Sequence, residues 1–202
     1  MKKTTGSILA ALFVLLPVAI SFAASTYTLS VDLPAAEGIT VSAASVAVAD
    51  NAFTPVDTTL LAFGQMIPNT EFGIWTPPNY FALDIAGDGP GGRVLTISYS
   101  DALNPNIDVA AGLGTKTTAT FKKLIWTGAT TKPTENDMSG HAQKSLDDVN
   151  KNAEVFTKEE LAGGWLRIYV GVSTGELVGK PFTNGDASGT YTGQITITDT
   201  AS

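Results

Sequence analysis

Hydrophobic and polar residues alternate along most of the chain. Tyr27, Leu29, Val31 and Leu33 are apolar, and Thr28, Ser30 and Asp32 separate them. The same period of two runs through Arg93–Tyr99, Trp165–Val170 and, most cleanly, Tyr191–Thr198. Alternation rich in Val, Ile, Thr and Tyr predicts half-buried strands, one face on a core and the other in water. Ile39–Val48, Thr58–Phe63, Tyr80–Ile85 and Lys116–Trp126 predict further strands. The segments Thr76-Pro77-Pro78-Asn79 and Gly87–Gly92 interrupt the pattern, because Pro lacks an N–H and Gly costs backbone entropy inside an element. Asn104-Pro105-Asn106 and Asn184-Gly185-Asp186 mark further turns. Helix is expected in two short places. Thr157 opens a capping box over Lys158–Ala162 that Gly163-Gly164 ends, and Ser145–Val149 can form one turn. The polar stretch Thr127–Asn152 reads as a long surface connection. Many short strands with turn punctuation predict an all-β fold, an immunoglobulin-like β-sandwich.

One apolar run does not alternate. Lys2 and Lys3 precede Ile8–Ile20, and Ser21-Phe22-Ala23 follows with small residues at the first and third positions. That order predicts a secretory signal peptide cleaved after Ala23. The run falls short of the roughly 20 residues that span a bilayer, so no membrane span is expected after processing. The expected organisation is a signal peptide over residues 1–23, an amino-terminal extension over 24–34 and a single sandwich domain over 35–202. That length can bury its own core.

Charge and composition narrow the chemistry. Nineteen acidic residues against 12 basic ones give a net charge of −7. An acidic surface argues against nucleic acid and anionic membranes as partners. The absence of cysteine excludes thiol catalysis, disulfides and cysteine-based metal sites. His141, the single histidine, lies between Gly140 and Ala142, where no triad or zinc site can be assembled around it. Asp84–Gly89 fails the spacing of a calcium loop: Ala86 and Leu95 stand where ligands belong, and a tight turn after a strand is the plainer reading. Asp147-Asp148 and Glu159-Glu160 read as solvated charge, although a glycosidase pair is spatial and leaves no fixed spacing. Gly175–Lys180 lacks the ending of a phosphate-binding loop. No catalytic residue, metal site or cofactor is therefore expected. Trp126 and Trp165 read as core. Trp75, beside Thr76-Pro77-Pro78, is the candidate ligand contact.

The two ends of the expected mature chain carry a further pattern. A Gly-x-Tyr-x-Gly opening at Gly189, Tyr191 and Gly193 leads into a final strand with Ile195 and Ile197 on one face. Leu29-Ser30-Val31-Asp32, Lys158-Glu159-Glu160-Leu161 and Trp165–Val170 precede it in that order. The layout resembles the major subunits of bacterial pili, in particular the colonization-factor, alpha-class chaperone–usher fimbriae. The resemblance implies a structural subunit that reaches the cell surface through the periplasm and supports adhesion. Its implied partners are identical subunits, a periplasmic chaperone and an outer-membrane assembly protein. It also implies polymerisation by strand addition, with Tyr27, Leu29, Val31 and Leu33 filling an apolar groove of the next subunit. The residues themselves leave two alternatives open. Tyr27–Leu33 is either donated to a neighbour or is the first strand of a sandwich closed within one chain. A secreted module that binds a glycan or a protein as a monomer is the second functional expectation.

Overall fold

A computed structural model describes residues 27–32, 40–57, 59–86, 93–101, 113–124, 143–157, 165–176 and 178–201. The first described strand is β1 (Tyr27–Asp32). It is followed by β2 (Val41–Ala47), β3 (Phe53–Val56), β4 (Leu60–Gln65), β5 (Ile67–Asn69), β6 (Ile74–Thr76), β7 (Asn79–Ala86) and β8 (Arg93–Asp101). A single helical turn, α1 (Leu113–Lys116), runs into β9 (Thr117–Leu124), and β10 (Gln143–Ser145) runs into α2 (Leu146–Lys151). Then come β11 (Glu154–Thr157), β12 (Trp165–Val172), β13 (Phe182–Thr183) and β14 (Gly189–Ala201).

These strands form a five-stranded sheet ordered β11-β8-β14-β1-β4, a six-stranded sheet ordered β10-β9-β12-β7-β2-β3, and a small sheet ordered β13-β6-β5. Among the described strands every pairing is antiparallel except that of β1 with β14. The two large sheets share one buried cluster. Leu29, Val31, Leu61, Leu95, Ile97 and Ile195 come from the first, and Phe81, Leu83, Ile85, Leu166, Ile168 and Val170 from the second. Phe63 and Phe81 meet edge to face across the layers, with ring centroids 4.8 Å apart. The expected all-β sandwich is the fold the chain adopts.

The polar stretch before Asn152 is more structured than a surface connection. β10 pairs with β9, and α2 buries Leu146 and Val149 in the shared core. Two apolar residues three apart place one face of that short helix inward. Ser145 caps it: its Oγ accepts from Asp148 N at 3.1 Å, and the helix ends on an Asn152 N to Asp148 O bond. The helical turn expected at Ser145–Val149 is thus present, one or two residues displaced. The one expected after Thr157 lies outside the described residues, as do Gly87–Gly92, Asn104–Asn106, Trp126, His141 and Glu159-Glu160. The Pro77-Pro78 break falls where the alternation predicts it, between β6 and β7.

The six-stranded sheet is buried on both faces around β7 and β12. Asp84, the first acid of the Asp84–Gly89 segment, sits inside β7 directly opposite Arg167 of β12. Its two carboxylate oxygens accept from Arg167 Nε at 2.6 Å and Nη2 at 2.9 Å, a bidentate bond inside the protein. The guanidinium also lies 5.3 Å from the Phe53 ring centroid. Burial pulls the Arg167 pKa down, but the bonds to Asp84 and Tyr169 outweigh it and hold the pKa above its ordinary value.

Candidate functional site: a seam between the ends of the chain

The two sequence patterns from opposite ends of the chain lie side by side. β1 runs parallel to β14 with Tyr27 against Gly189, Leu29 against Tyr191 and Val31 against Gly193. On its other edge β1 runs antiparallel to β4, from Thr28 opposite Gln65 to Asp32 opposite Leu60. The strand thus fills a slot between β14 and β4. Leu29 and Val31 are fully buried there, and Thr28 is exposed. Burying each of those two side chains contributes about 1.5–3 kcal/mol. Tyr27 is paired through its backbone, and Leu33 lies outside the described residues.

The Gly-x-Tyr-x-Gly motif has a structural cause at each position. Gly189 has φ 152°, a conformation that a side chain strains against. Tyr191 is buried, and its hydroxyl donates to Ala187 O at 2.9 Å, tying the strand to its own entry turn. Its ring packs edge to face on Phe182 at 4.9 Å. At Gly193 the Tyr99 side chain of β8 crosses the backbone. A Cβ there would stand 2.0 Å from Tyr99 Oη, so only glycine fits. Ile195 and Ile197 continue the buried face.

A buried ion pair braces the turn that feeds β14. Lys116 Nζ lies 2.7 Å from Asp186 Oδ1 and donates to Pro181 O at 2.9 Å. Asp186 Oδ2 in turn accepts from Thr183 N at 2.8 Å and from Thr183 Oγ1 at 3.1 Å. Burial raises the Asp186 pKa, but the bonds from Lys116 and Thr183 outweigh it and hold the carboxyl below its ordinary value. The partners Lys116–Asp186 and Arg167–Asp84 sit far apart in sequence, and nothing in their local spacing announces either pair.

Trp75 occupies β6, between β5 and β13, opposite Phe182 and Pro68. Its indole N–H donates to Asn184 Oδ1 at 2.9 Å, and its half-buried ring packs against the core. The ring is therefore bound up in the fold of the small sheet. Asp147 and Asp148 stand in the first turn of α2, where negative charge favours the helix N-terminus. Among the described residues no group of three or more His, Cys, Asp or Glu side chains is placed to hold a metal ion. No described helix is long and apolar enough to cross a membrane. Set against known protein families, curated proteins and solved structures, the chain matches none of them.

Proposed function

We propose that this chain is a structural subunit of an extracellular fimbria that polymerises by exchanging β1 between copies. The observation that supports this reading most is the seam. The first described strand fills a slot between β14 and β4 and seats Leu29 and Val31 in the core. With a signal peptide cleaved after Ala23, that strand could leave without unthreading any described element. Its departure uncovers two strand edges and an apolar slot that only an equivalent strand refills.

Parallel pairing is slightly less stable per residue than antiparallel pairing. Side chains alternate with period two, so a strand entering the slot in the opposite direction presents the same apolar face. A neighbour's β1 entering that way is antiparallel to β14 and parallel to β4, so it fills the slot with one ladder of each kind, as the chain's own β1 does. Contacts of this head-to-tail kind are heterologous and generate open filaments. Export through the periplasm and assembly with a chaperone and an outer-membrane protein follow from the fimbrial reading.

The second reading is a secreted sandwich that binds a glycan or protein ligand as a monomer. It is favoured by β1 completing the sheet within one chain. The absence of natural cysteine allows a clean test. Ser30 and Thr192 are register partners on the outer face of the seam, so S30C/T192C can lock β1 in its own slot. Filaments in electron micrographs of the reduced protein, lost on oxidation and restored by reductant, are the expected result. Equal filament formation in both states, or none in either, would sink strand exchange.

A further inference from the structure

A cleft of about 450 Å³ opens on the outer side of the six-stranded sheet, remote in sequence from the β1 slot. That volume lies in the range of about 300–1,000 Å³ that small-molecule sites occupy. Its aromatic wall is Tyr80, half-buried at the start of β7 and supported by the buried Tyr169, with ring centroids 6.2 Å apart. Gly171 leaves that wall uncovered. A Cβ at this position would meet only Tyr80 Cβ, at 3.5 Å. The polar residues of the lining include Asn69, Asn79, Gln143 and Glu176. No lysine, arginine or histidine is among the described lining residues.

The rim is held in place before any ligand arrives. Ser173 N donates to Lys116 O at 2.7 Å, and Ser173 Oγ donates to Val178 O at 2.6 Å. The same Oγ accepts from Gly175 N at 3.0 Å, and Lys180 N donates to Thr115 O at 2.8 Å. A loop pinned at both ends loses little entropy on binding. Val48, also in the lining, is an apolar side chain 60 % exposed to water.

We propose that this cleft binds a neutral saccharide unit, its C–H face on Tyr80 and its hydroxyls on Asn79, Gln143 and Glu176. An aromatic face beside amide and carboxylate groups suits a ligand with one apolar face and a ring of hydroxyls, since amides both donate and accept. The absence of a cation among the described lining residues and the net charge of −7 disfavour a phosphate, a nucleotide or an acidic sugar. The site stands whether or not β1 is exchanged.

The test is saturation-transfer NMR on the full chain with cellobiose, lactose, maltose and chitobiose, each titrated into the millimolar range. At least one is expected to receive transfer and to saturate. G171L fills the cleft at a position with no positive φ, and should weaken that binding about tenfold or more while leaving the unfolding midpoint unchanged. Should G171L shift the midpoint, Y80A and E176Q replace it, with the larger loss expected for Y80A. Absence of transfer to all four sugars overturns the proposal, and so does binding that is unmoved by all of these variants.

Discussion

Along β14, buried and more exposed residues alternate from Tyr191 to Thr198. Along β7 and β12, Phe81–Ile85 and Leu166–Val170 are buried without a break. The two sheets that share one core thus differ on their far sides. The five-stranded sheet turns its β14 and β1 threonines and serine outward. The six-stranded sheet keeps a second small cluster of Val46, Ala82 and Tyr169, with Phe53 and Tyr80 packed on it, beside the buried Asp84–Arg167 pair. A one-sided strand can pair with an equivalent strand from elsewhere, because its inner face alone must match the core. A two-sided strand is held by both faces. The difference teaches where exchange is feasible, and it is the one-sided sheet that contains β1.

The sharpest way to break this contrast is to remove one charge from the two-sided sheet. D84A leaves the Arg167 guanidinium buried without its carboxylate, and should cost about 3–5 kcal/mol. The doubly apolar variant D84L/R167M should fall close to the native protein, because it removes both desolvated charges at once. Urea unfolding midpoints of the two variants measure this. Equal losses would mean that packing, and not the charge left without its carboxylate, dominates.

On the one-sided sheet the effect should depend on which face is altered. L29A should lose about 2–5 kcal/mol, through the transfer term and the cavity it leaves. T28A, one residue away on the exposed face, should change stability by less than about 0.5 kcal/mol. Chemical denaturation of both variants tests the period of two directly. A large loss in T28A would contradict a one-sided β1.

The smallest expected effect concerns acid. The Asp186 pKa is lowered in the folded chain. Its contribution is therefore fully present above the unfolded value of about 3.9, and is lost as pH falls through the lower folded value. The stability advantage of the native protein over D186N should be largest near neutral pH and shrink below about pH 4. Paired denaturation curves at neutral and strongly acidic pH check the sign. An advantage that grows on acidification would contradict the Lys116–Asp186 assignment.

Much of the fold is legible as period two, turn residues and caps. Tyr27–Leu33, Arg93–Tyr99 and Tyr191–Thr198 announce strands, Pro77-Pro78 announces a break, and Ser145 announces the start of α2. The short strands β3, β5, β6, β10, β11 and β13 escape notice, since two to four residues carry too little pattern to distinguish from loop. Of the candidate site, the residues of both chain ends are legible but their pairing is not. The saccharide cleft is invisible in the chain, because Asn69, Tyr80, Gln143, Gly171 and Glu176 share no spacing and meet only when β5, β7, β10 and β12 are assembled.

Read alone, the residues dictate which faces go inward, since burial of apolar surface follows alternation wherever a strand forms. The need for glycine at Gly193, by contrast, comes only with the tertiary fold, when Tyr99 of β8 lies across its backbone. Two further matters wait for the assembled sandwich. One is that β1 lies parallel to β14 in the chain's own slot, a matter of competition between strand edges far apart in sequence. The other is that Asp84 finds Arg167 and Lys116 finds Asp186. Those pairings lower the cost of buried charge only after two strands, or a helix and a turn, have been brought together by the core.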